Sequence, residues 1–267
     1  MGPVMVERSL ATSLRSAVKA AVPAPCRQWL RRQQRHWSKP PVGWVRFGSL
    51  RRVTPISPHF GYDRGRPVDR YYIDRFVAQH AQDIRGQVLE IGEDTYTRRF
   101  GGARVERIEV LHVKDGNPQA TIVADLTRAD HLPSNTFDCV VFTHTLQFIY
   151  DVRAALQTLH RILKPGGVLL ATAHGIGKLS RSDMEQWGEY WRFTRQSAQR
   201  LFGEVFGPSQ ITVEAGGNVL VAIAGLHGLA VEELRREELD YFDPEYEVVV
   251  TVRAVKAPST EHPAGRA

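Results

Sequence analysis

The stretch Val88-Leu89-Glu90-Ile91-Gly92 decides the fold of this 267-residue chain. Its apolar residues stand on consecutive positions, as in a strand that is covered on both faces of a sheet. The run includes an acidic residue, and burying a carboxylate without partners is costly. Gly92 lets the backbone turn and approach a ligand closely. The stretch therefore predicts a buried strand whose carboxyl end faces a binding site.

Six more strand-like runs follow and alternate with helical or polar segments. This alternation predicts an α/β fold with a doubly wound, mostly parallel seven-stranded sheet and right-handed crossovers. The predicted strands are Val88–Ile91, Ile108–Val113, Thr121–Ala124, Cys139–Phe142, Val168–Ala173, Ile211–Glu214 and Glu247–Val255. The predicted helices are Val68–Gln82, Asp151–Leu163, Thr194–Phe206, Val219–Gly228 and Val231–Leu239.

Five further motifs come after the Glu90 strand in a fixed order. They are Asp125-Leu126, Leu132 to Val141, Leu146 to Asp151, Arg161-Ile162-Leu163-Lys164-Pro165-Gly166-Gly167 and Tyr190-Trp191-Arg192-Phe193-Thr194. The ordered set resembles the class I S-adenosylmethionine-dependent methyltransferases with a type 11-like methyltransferase domain, over most of residues 68–256. The resemblance implies a Rossmann-like methyltransferase fold, S-adenosylmethionine as the cofactor, and an enzyme that catalyses methylation.

The resemblance also assigns residues to the cofactor. It places Glu90 near the methionine ammonium, Asp125 on the adenine amino group and the Leu126 N–H on the adenine ring. The second strand ends without a carboxylate at the usual place, so His112 and Asp115 are both candidates for the ribose hydroxyls. The full predicted cofactor set is Glu90, Ile91, Gly92, Asp94, His112, Asp115, Asp125, Leu126 and Thr143.

His144, directly after the fourth strand, is the candidate catalytic residue. With Thr143 it is expected to face the sulfonium and the acceptor. Because a sulfonium is already a good leaving group, the protein mainly has to orient the acceptor and exclude water. A base is needed only for a hydroxyl or another poorly ionised acceptor, and His144 would accept that proton. Trp187 and Tyr190 either line the acceptor pocket or pack beneath the last strands.

The loop after Gly92 departs from the family pattern. Where the family has further glycines, this chain has Glu93-Asp94-Thr95-Tyr96-Thr97, followed by Arg98 and Arg99. These larger side chains fill space beside the ligand. Two hypotheses therefore stay open. The first is methyl transfer to a small-molecule or glycan-like acceptor. The second is a non-catalytic methyltransferase-like module that binds a partner or an anionic surface through residues 1–67.

Charge is unevenly distributed along the chain. Residues 1–52 hold nine Arg and two Lys against Glu7, a net charge of +10, and the remaining residues sum to −4, giving +6 overall. The basic leader predicts either peripheral contact with an anionic membrane surface or a poorly ordered tail. The acidic body and the lack of an N-P-P-Y-like element argue against a nucleic-acid substrate.

The apolar runs, cysteines and histidines of the sequence exclude some classes of protein. No run reaches the roughly 18 apolar residues that a transmembrane helix needs. Two distant cysteines fit a reducing compartment, which predicts a cytoplasmic protein. The histidines show no metal-ligand spacing, so no metal site is predicted. We expect a basic N-terminal extension and connector at 1–67, a methyltransferase-like domain at 68–256 and a disordered tail at 257–267.

Overall fold

The computed structural model describes residues 39–258 of the chain. Within this range it contains one seven-stranded sheet in the order β3-β2-β1-β4-β5-β7-β6. The strands are β1 (Gly86–Ile91), β2 (Val105–His112), β3 (Ile122–Val123), β4 (Phe137–Thr143), β5 (Leu163–His174), β6 (Ile211–Gly216) and β7 (Val249–Val255). All seven predicted strands are thus present, and the predicted α/β fold is confirmed.

The pairing of the strands shows a mostly parallel sheet. Strands β1 to β5 pair in parallel, whereas β7 is antiparallel to both β5 and β6. The order of the strands reverses between β1 and β4, and ligands of open α/β sheets bind beyond the carboxyl ends of the strands at such a point. The topology therefore directs attention to the segments after Ile91 and Thr143.

Helices cover both faces of this sheet. Val88 and Leu89 are both fully buried but belong to two different core clusters, one on each face. This explains why β1 is apolar at consecutive positions. The helices are α1 (Val68–Gln79), α2 (Thr95–Gly101), α3 (Val152–Ile162), α4 (Arg181–Trp187), α5 (Arg195–Phe206), α6 (Val219–His227) and α7 (Arg236–Asp240). Short 3₁₀ turns connect several of them.

The helix α3 and the strand β5 show how local sequence sets the element boundaries. Asp151 caps α3 by accepting a hydrogen bond from the Ala154 N–H at 3.0 Å. Strand β5 starts at Leu163, directly after α3, so the Lys164–Gly167 turn expected before the strand belongs to it. A Cβ on Gly167 would lie only 2.8 Å from the Lys164 carbonyl oxygen. Only glycine fits this close approach.

Three helical segments differ from the sequence-based expectation. The helices α2 and α4 were not predicted, because each has only seven residues and lacks a clear apolar period. The helix predicted at Val231–Leu239 is divided into a 3₁₀ turn at Val231–Glu233 and the short α7. Leu234 and Arg235 between them have extended backbone angles, which interrupt the helix.

The connector before α1 packs against the domain. The compact unit begins at Val53, ahead of the boundary predicted at residue 67. Ser57 donates its N–H to the His227 carbonyl, and Val231 donates to Arg66. The leader at 1–38 and residues 259–267 of the predicted tail lie outside the described residues. Among residues 39–258, no helix has both the length and the apolarity needed to span a membrane.

Candidate active site

A cavity of about 590 Å³ lies at the carboxyl ends of β1 and β2 and beneath the loop after β4. We call it the cofactor cavity. Five predicted cofactor residues line it: Ile91, Gly92, His112, Asp125 and Leu126. Its other walls are Leu111, Val113, Lys114, Ala124, Thr127, Arg128, Thr145, Phe148, Ile149, Tyr150, Asp151, Gln186, Trp187 and Tyr190.

The backbone turn at Gly92 opens into free space. Its φ is +84°, a left-handed conformation that favours glycine, and a Cβ built there meets no atom within 4 Å. The turn is fixed on both sides, because the Gly92 N–H donates to the Leu111 carbonyl at 2.9 Å and its carbonyl accepts from Asn117 Nδ2 at 2.6 Å. Asn117 is distant from Gly92 in sequence and belongs to no motif, so no sequence pattern predicts this contact.

Glu90 anchors the loop that replaces the glycine-rich segment. Its two carboxylate oxygens accept hydrogen bonds from the backbone N–H groups of Tyr96 (3.0 Å) and Thr97 (2.7 Å), in the first turn of α2. Burial raises the pKa of Glu90 to about 7, against the opposing effect of these hydrogen bonds. Glu90 therefore stabilises the loop conformation, and its contact with a methionine ammonium stays a prediction.

The larger side chains of this loop point away from the cofactor cavity. Tyr96 is buried in the core cluster beneath α1, where its hydroxyl accepts a hydrogen bond from Arg70. Arg98 turns back to form an ion pair with Asp94 at 2.6 Å. None of the three lines the cavity. The departure from the glycine pattern thus leaves the cavity open.

Asp125, which is predicted to contact the adenine, is held in place by a local turn. Asp125 Oδ1 accepts from both the N–H (2.9 Å) and the hydroxyl (2.8 Å) of Thr127. Burial alone would raise the pKa of Asp125, but these hydrogen bonds and the charge of Arg128 lower it. Asp125 is therefore ionised at neutral pH, with Oδ2 in an exposed pair with Arg128 at 3.6 Å.

The end of β2 brings His112 to the cavity but not Asp115. His112 Nδ1 lies 2.7 Å from the Lys114 carbonyl, and its ring meets Trp187 edge-on at 5.2 Å. Lys114 Nζ lies 4.8 Å from the centre of the same indole. Trp187 and Tyr190 line the cofactor cavity, and their contact with an acceptor stays a prediction.

Beside the cavity, Asp69, His144 and His174 form a group that we call the His144 cluster. Thr143 ends β4 and does not line the cavity, whereas Thr145 does. His144 Nδ1 lies 3.3 Å from Asp69 Oδ2, and the two imidazole rings are 3.9 Å apart with a tilt of 39°. His144 is therefore next to the cavity wall in sequence and is itself buried.

His144 has an unusual backbone conformation, with φ at +45°. Its N–H donates to the carbonyl (2.9 Å) and the hydroxyl oxygen (3.1 Å) of Thr172 on β5. A left-handed non-glycine residue costs of order 1 kcal/mol or more, and such residues concentrate at functional sites. Its Nε2 is buried and has no hydrogen-bond partner among the described residues.

The charges of the cluster follow from burial. Burial lowers the pKa of His144, against the opposing effect of Asp69, so the imidazole is neutral at pH 7. Burial and the neighbouring His144 lower the pKa of His174 as well. Burial would raise the pKa of Asp69, but the hydrogen bond with His144 lowers it. Because ionised Asp69 can only accept, Nδ1 of His144 carries the proton and Nε2 the lone pair.

The sequence analysis found one member of this cluster. Asp69 comes from the first turn of α1 and His174 from the last position of β5. No spacing rule joins residues 69, 144 and 174. The available signal was that two neighbouring strands each end in or just before a histidine, at the edge of the sheet where ligands bind.

Comparison with known proteins supports this architecture. Residues 102–171 match the model of a methyltransferase domain family. The Haemophilus ducreyi ubiquinone/menaquinone biosynthesis C-methyltransferase UbiE is 52% identical over 90 residues, which cover 33% of this chain and 28% of that protein. The demethylmenaquinone methyltransferase of Lysinibacillus sphaericus is 26% identical over 92 residues, 34% of this chain and 37% of that protein. The chain thus spans about a third of the length of these relatives.

Two solved structures are similar at low identity. Haemonchus contortus phosphoethanolamine N-methyltransferase 2, in complex with S-adenosyl-L-methionine, has a TM-score of 0.45 at 18% identity, over 65% of this chain and 49% of that one. N-methyltransferase NodS of Bradyrhizobium japonicum, in complex with S-adenosyl-L-homocysteine, has a TM-score of 0.45 at 14% identity, over 76% of this chain and 94% of that one.

The family match covers β2, β3, β4, α3 and the first part of β5, which surround the cofactor cavity. The ordered motifs of the sequence and the seven-stranded sheet agree with it. Over residues 102–171, about a quarter of the chain, the protein therefore matches a methyltransferase domain family.

Proposed function

We propose that this protein transfers a methyl group from S-adenosylmethionine to a small-molecule acceptor. The observation that carries the proposal is the open cofactor cavity at the point of strand reversal, beside a buried histidine with a free ring nitrogen. The alternative of a non-catalytic module rested on side chains that would close the cavity. Tyr96 and Arg98 point elsewhere, so the structure favours the enzyme.

The residues around the cavity fit an adenosyl group. The open space at Gly92 would admit the ligand against the backbone. Asp125 is an ionised acceptor for an adenine amino group, and the Leu126 N–H would donate to the ring. His112 is the candidate for the ribose hydroxyls because it lines the cavity and Asp115 does not. When bound, the cofactor supplies an electrophilic methyl group on a positively charged sulfur.

His144 is the proposed base for an acceptor that carries a proton. Asp69 fixes the tautomer through Nδ1, which directs the lone pair of Nε2 away from the carboxylate. The acceptor O–H or C–H bond would break as its proton moves to Nε2 and its electron pair attacks the methyl carbon. The methyl–sulfur bond would break with its electron pair staying on sulfur, so that S-adenosylhomocysteine leaves. General-base help of this kind contributes about 10²- to 10⁴-fold to rate.

The acceptor class follows from this requirement for a base. Phenolic, enolic and sugar hydroxyl acceptors all need help with a proton, whereas an amine at high pH does not. The two named relatives act on quinone precursors according to their names. We therefore propose a demethylated quinol as the first acceptor to test and a glycan-like hydroxyl as the second.

The test uses the purified full chain with S-adenosylmethionine carrying a labelled methyl group. Reduced demethylmenaquinone and a set of sugar acceptors are offered separately, and transfer of label is followed by chromatography and mass spectrometry. We expect label in one acceptor class and none with the His144→Asn protein. Cofactor binding without transfer to any acceptor would favour the non-catalytic module instead.

A further inference from the structure

The His144 cluster has the donor set of a metal site. One ligand atom from each of Asp69, His144 and His174 lies within 4.8 Å of the other two. The three side chains come from α1, from the residue after β4 and from the end of β5. Strands β4 and β5 are adjacent and pair Thr143 with Thr172. The sheet register therefore brings both imidazoles to one edge, and α1 adds the carboxylate.

The geometry needs only a small contraction to bind an ion. Zinc–nitrogen and zinc–oxygen bonds are about 2.0–2.2 Å long, so tetrahedral ligand atoms lie about 3.4 Å apart. The His144 and Asp69 atoms already lie 3.3 Å apart. Since no two of the three ligand atoms are more than 4.8 Å apart, each separation would shorten by at most about 1.4 Å to complete the site.

The ligand atoms of these three side chains indicate which cations the site would bind. Two imidazoles and one carboxylate suit zinc, iron and other divalent transition metals, whereas magnesium and calcium prefer sites made of oxygen alone. Three protein ligands leave a coordination position open for water or an acceptor oxygen. The charges of Arg70 and Arg192 also reach His144, and they oppose a cation. Arg70 is held by the hydroxyls of Tyr62 and Tyr96, and Arg192 by Glu189.

Two further observations set this group apart from a chance cluster. His144 keeps a strained left-handed backbone that is fixed by two hydrogen bonds from its N–H to Thr172. The side chain of His144 is only 8% exposed, so water competes poorly for its ring nitrogens.

We propose that Asp69, His144 and His174 bind one divalent transition-metal ion through the Asp69 carboxylate and one ring nitrogen of each histidine. When the ion binds Nδ1 of His144, the Nδ1 proton would leave to solvent and Nε2 would take up a proton, so that the imidazole stays neutral. An ion here would lie beside the cofactor cavity, where its open position could take an oxygen of the methyl acceptor. With the ion on Nδ1 the His144 proton stands on Nε2, so the metal-bound acceptor oxygen would replace Nε2 as the means of activating the acceptor. Zinc binding and cofactor binding are measured separately, so this proposal and the proposed methyl transfer can fail separately.

The experiment measures zinc binding by the full chain. Protein is freed of metal with a chelator and then titrated with Zn²⁺ in competition with a chromophoric chelator. The variants are His174→Gln, His144→Asn and, as a matched control, His131→Gln, which removes an exposed histidine outside the cluster. Zinc bound by residues outside 39–258 would be the same in all four proteins, so only the differences count.

We expect wild type and His131→Gln to bind one zinc ion that His174→Gln and His144→Asn bind at least about tenfold more weakly. Zinc should also raise the thermal midpoint of the first two proteins and leave that of the cluster variants unchanged. Circular dichroism of each protein verifies that the variants are folded. Equal zinc affinity in all four proteins, or no zinc binding by wild type, would overturn the metal site.

Calorimetry with S-adenosylhomocysteine on the metal-free wild-type protein separates the two proposals. If the protein binds the cofactor but not zinc, the proposed metal site is rejected and the proposed methyl transfer is retained. If the protein binds zinc but not the cofactor, the metal site is retained and the proposed methyl transfer is rejected.

Discussion

The cofactor cavity and the His144 cluster lie at neighbouring strand ends but are built differently. The cavity is open, and several of its residues directly follow their own strands, such as Gly92 after β1. The cluster is mostly shielded from solvent and joins Asp69, His144 and His174 across long stretches of sequence. The comparison teaches that short motifs encode the part that would hold a cofactor, whereas tertiary packing assembles the part that would act on the acceptor.

The largest expected effect concerns the cluster. His144→Asn removes the imidazole but keeps a residue that tolerates the left-handed backbone. We expect kcat with the identified acceptor to fall about 10²- to 10⁴-fold, because the general base is lost. Affinity for S-adenosylhomocysteine, measured by calorimetry, should stay within about twofold, since His144 does not line the cavity. If His144→Asn also loses affinity for the cofactor, the claim that the cavity binds the cofactor and the His144 cluster acts only on the acceptor would be wrong.

Glu90 gives the next largest effect, on stability. Folding raises the pKa of Glu90 from 4.5 to about 7. The contribution of Glu90 to the free energy of unfolding is therefore fully present below about pH 4.5 and is lost as the pH rises through about 7. The shift corresponds to about 3 kcal/mol. The free energy of unfolding of wild type minus that of Glu90→Gln should fall by about this amount over that range.

Urea denaturation across the pH range measures this difference. Glu106→Gln is the control, because Glu106 is an exposed carboxylate of β2 that is not among the groups that shift the pKa of Glu90. A difference between wild type and Glu90→Gln that is constant with pH would mean that Glu90 does not anchor the loop as a buried carboxylate. Such a result would weaken the account of how the cavity stays open.

Gly92→Ala tests the cavity itself, and Gly102→Ala is its control. Both glycines have positive φ, +84° and +59°, and both have free space where a Cβ would stand. With ψ at −144°, Gly102 stands in a region that only glycine adopts readily, so Gly102→Ala carries a full backbone penalty of its own. Only Gly92 lines the cofactor cavity. We expect a loss of S-adenosylhomocysteine affinity of about tenfold or more for Gly92→Ala and none for Gly102→Ala; equal losses would point to general destabilisation.

The smallest effect is predicted for Asp125→Asn. An amide keeps the acceptor for the Thr127 turn but replaces the second carboxylate oxygen, which is predicted to accept from adenine. Loss of one hydrogen bond of about 1 kcal/mol corresponds to about fivefold weaker cofactor binding by calorimetry. Asp130→Asn removes an exposed carboxylate nearby and should leave affinity unchanged. If Asp125→Asn binds the cofactor with unchanged affinity, the adenine does not contact Asp125 and must bind elsewhere in the cavity.

The sequence predicted the sheet because every strand is a short apolar run between turn signals. The same pattern placed Ile91, Gly92, His112, Asp125 and Leu126 at strand ends, and these residues line the cavity. Sequence did not reveal the direction of side chains in the loop after Gly92. Tyr96 and Arg98 were expected to fill the ligand space, but α2 turns them towards the core and towards Asp94.

The cluster could be predicted only in part, for a physical reason. A strand end indicates that His144 is near a site, but its partners depend on sheet register and on the packing of α1. Asp69 and His174 carry no local signal that distinguishes them from capping or surface residues. Contacts between residues about 30 to 105 positions apart are set by the whole fold and not by any short pattern.

The most direct test of the central claim is a crystal structure of the full chain with S-adenosylhomocysteine, preceded by calorimetry to establish binding. We predict the adenine beside Asp125 and Leu126, the backbone of Gly92 against the ligand, and the sulfur at the side of the cavity nearest to His144. A protein that shows no heat of binding and no thermal shift at millimolar ligand would contradict the account, as would a ligand bound outside the cofactor cavity.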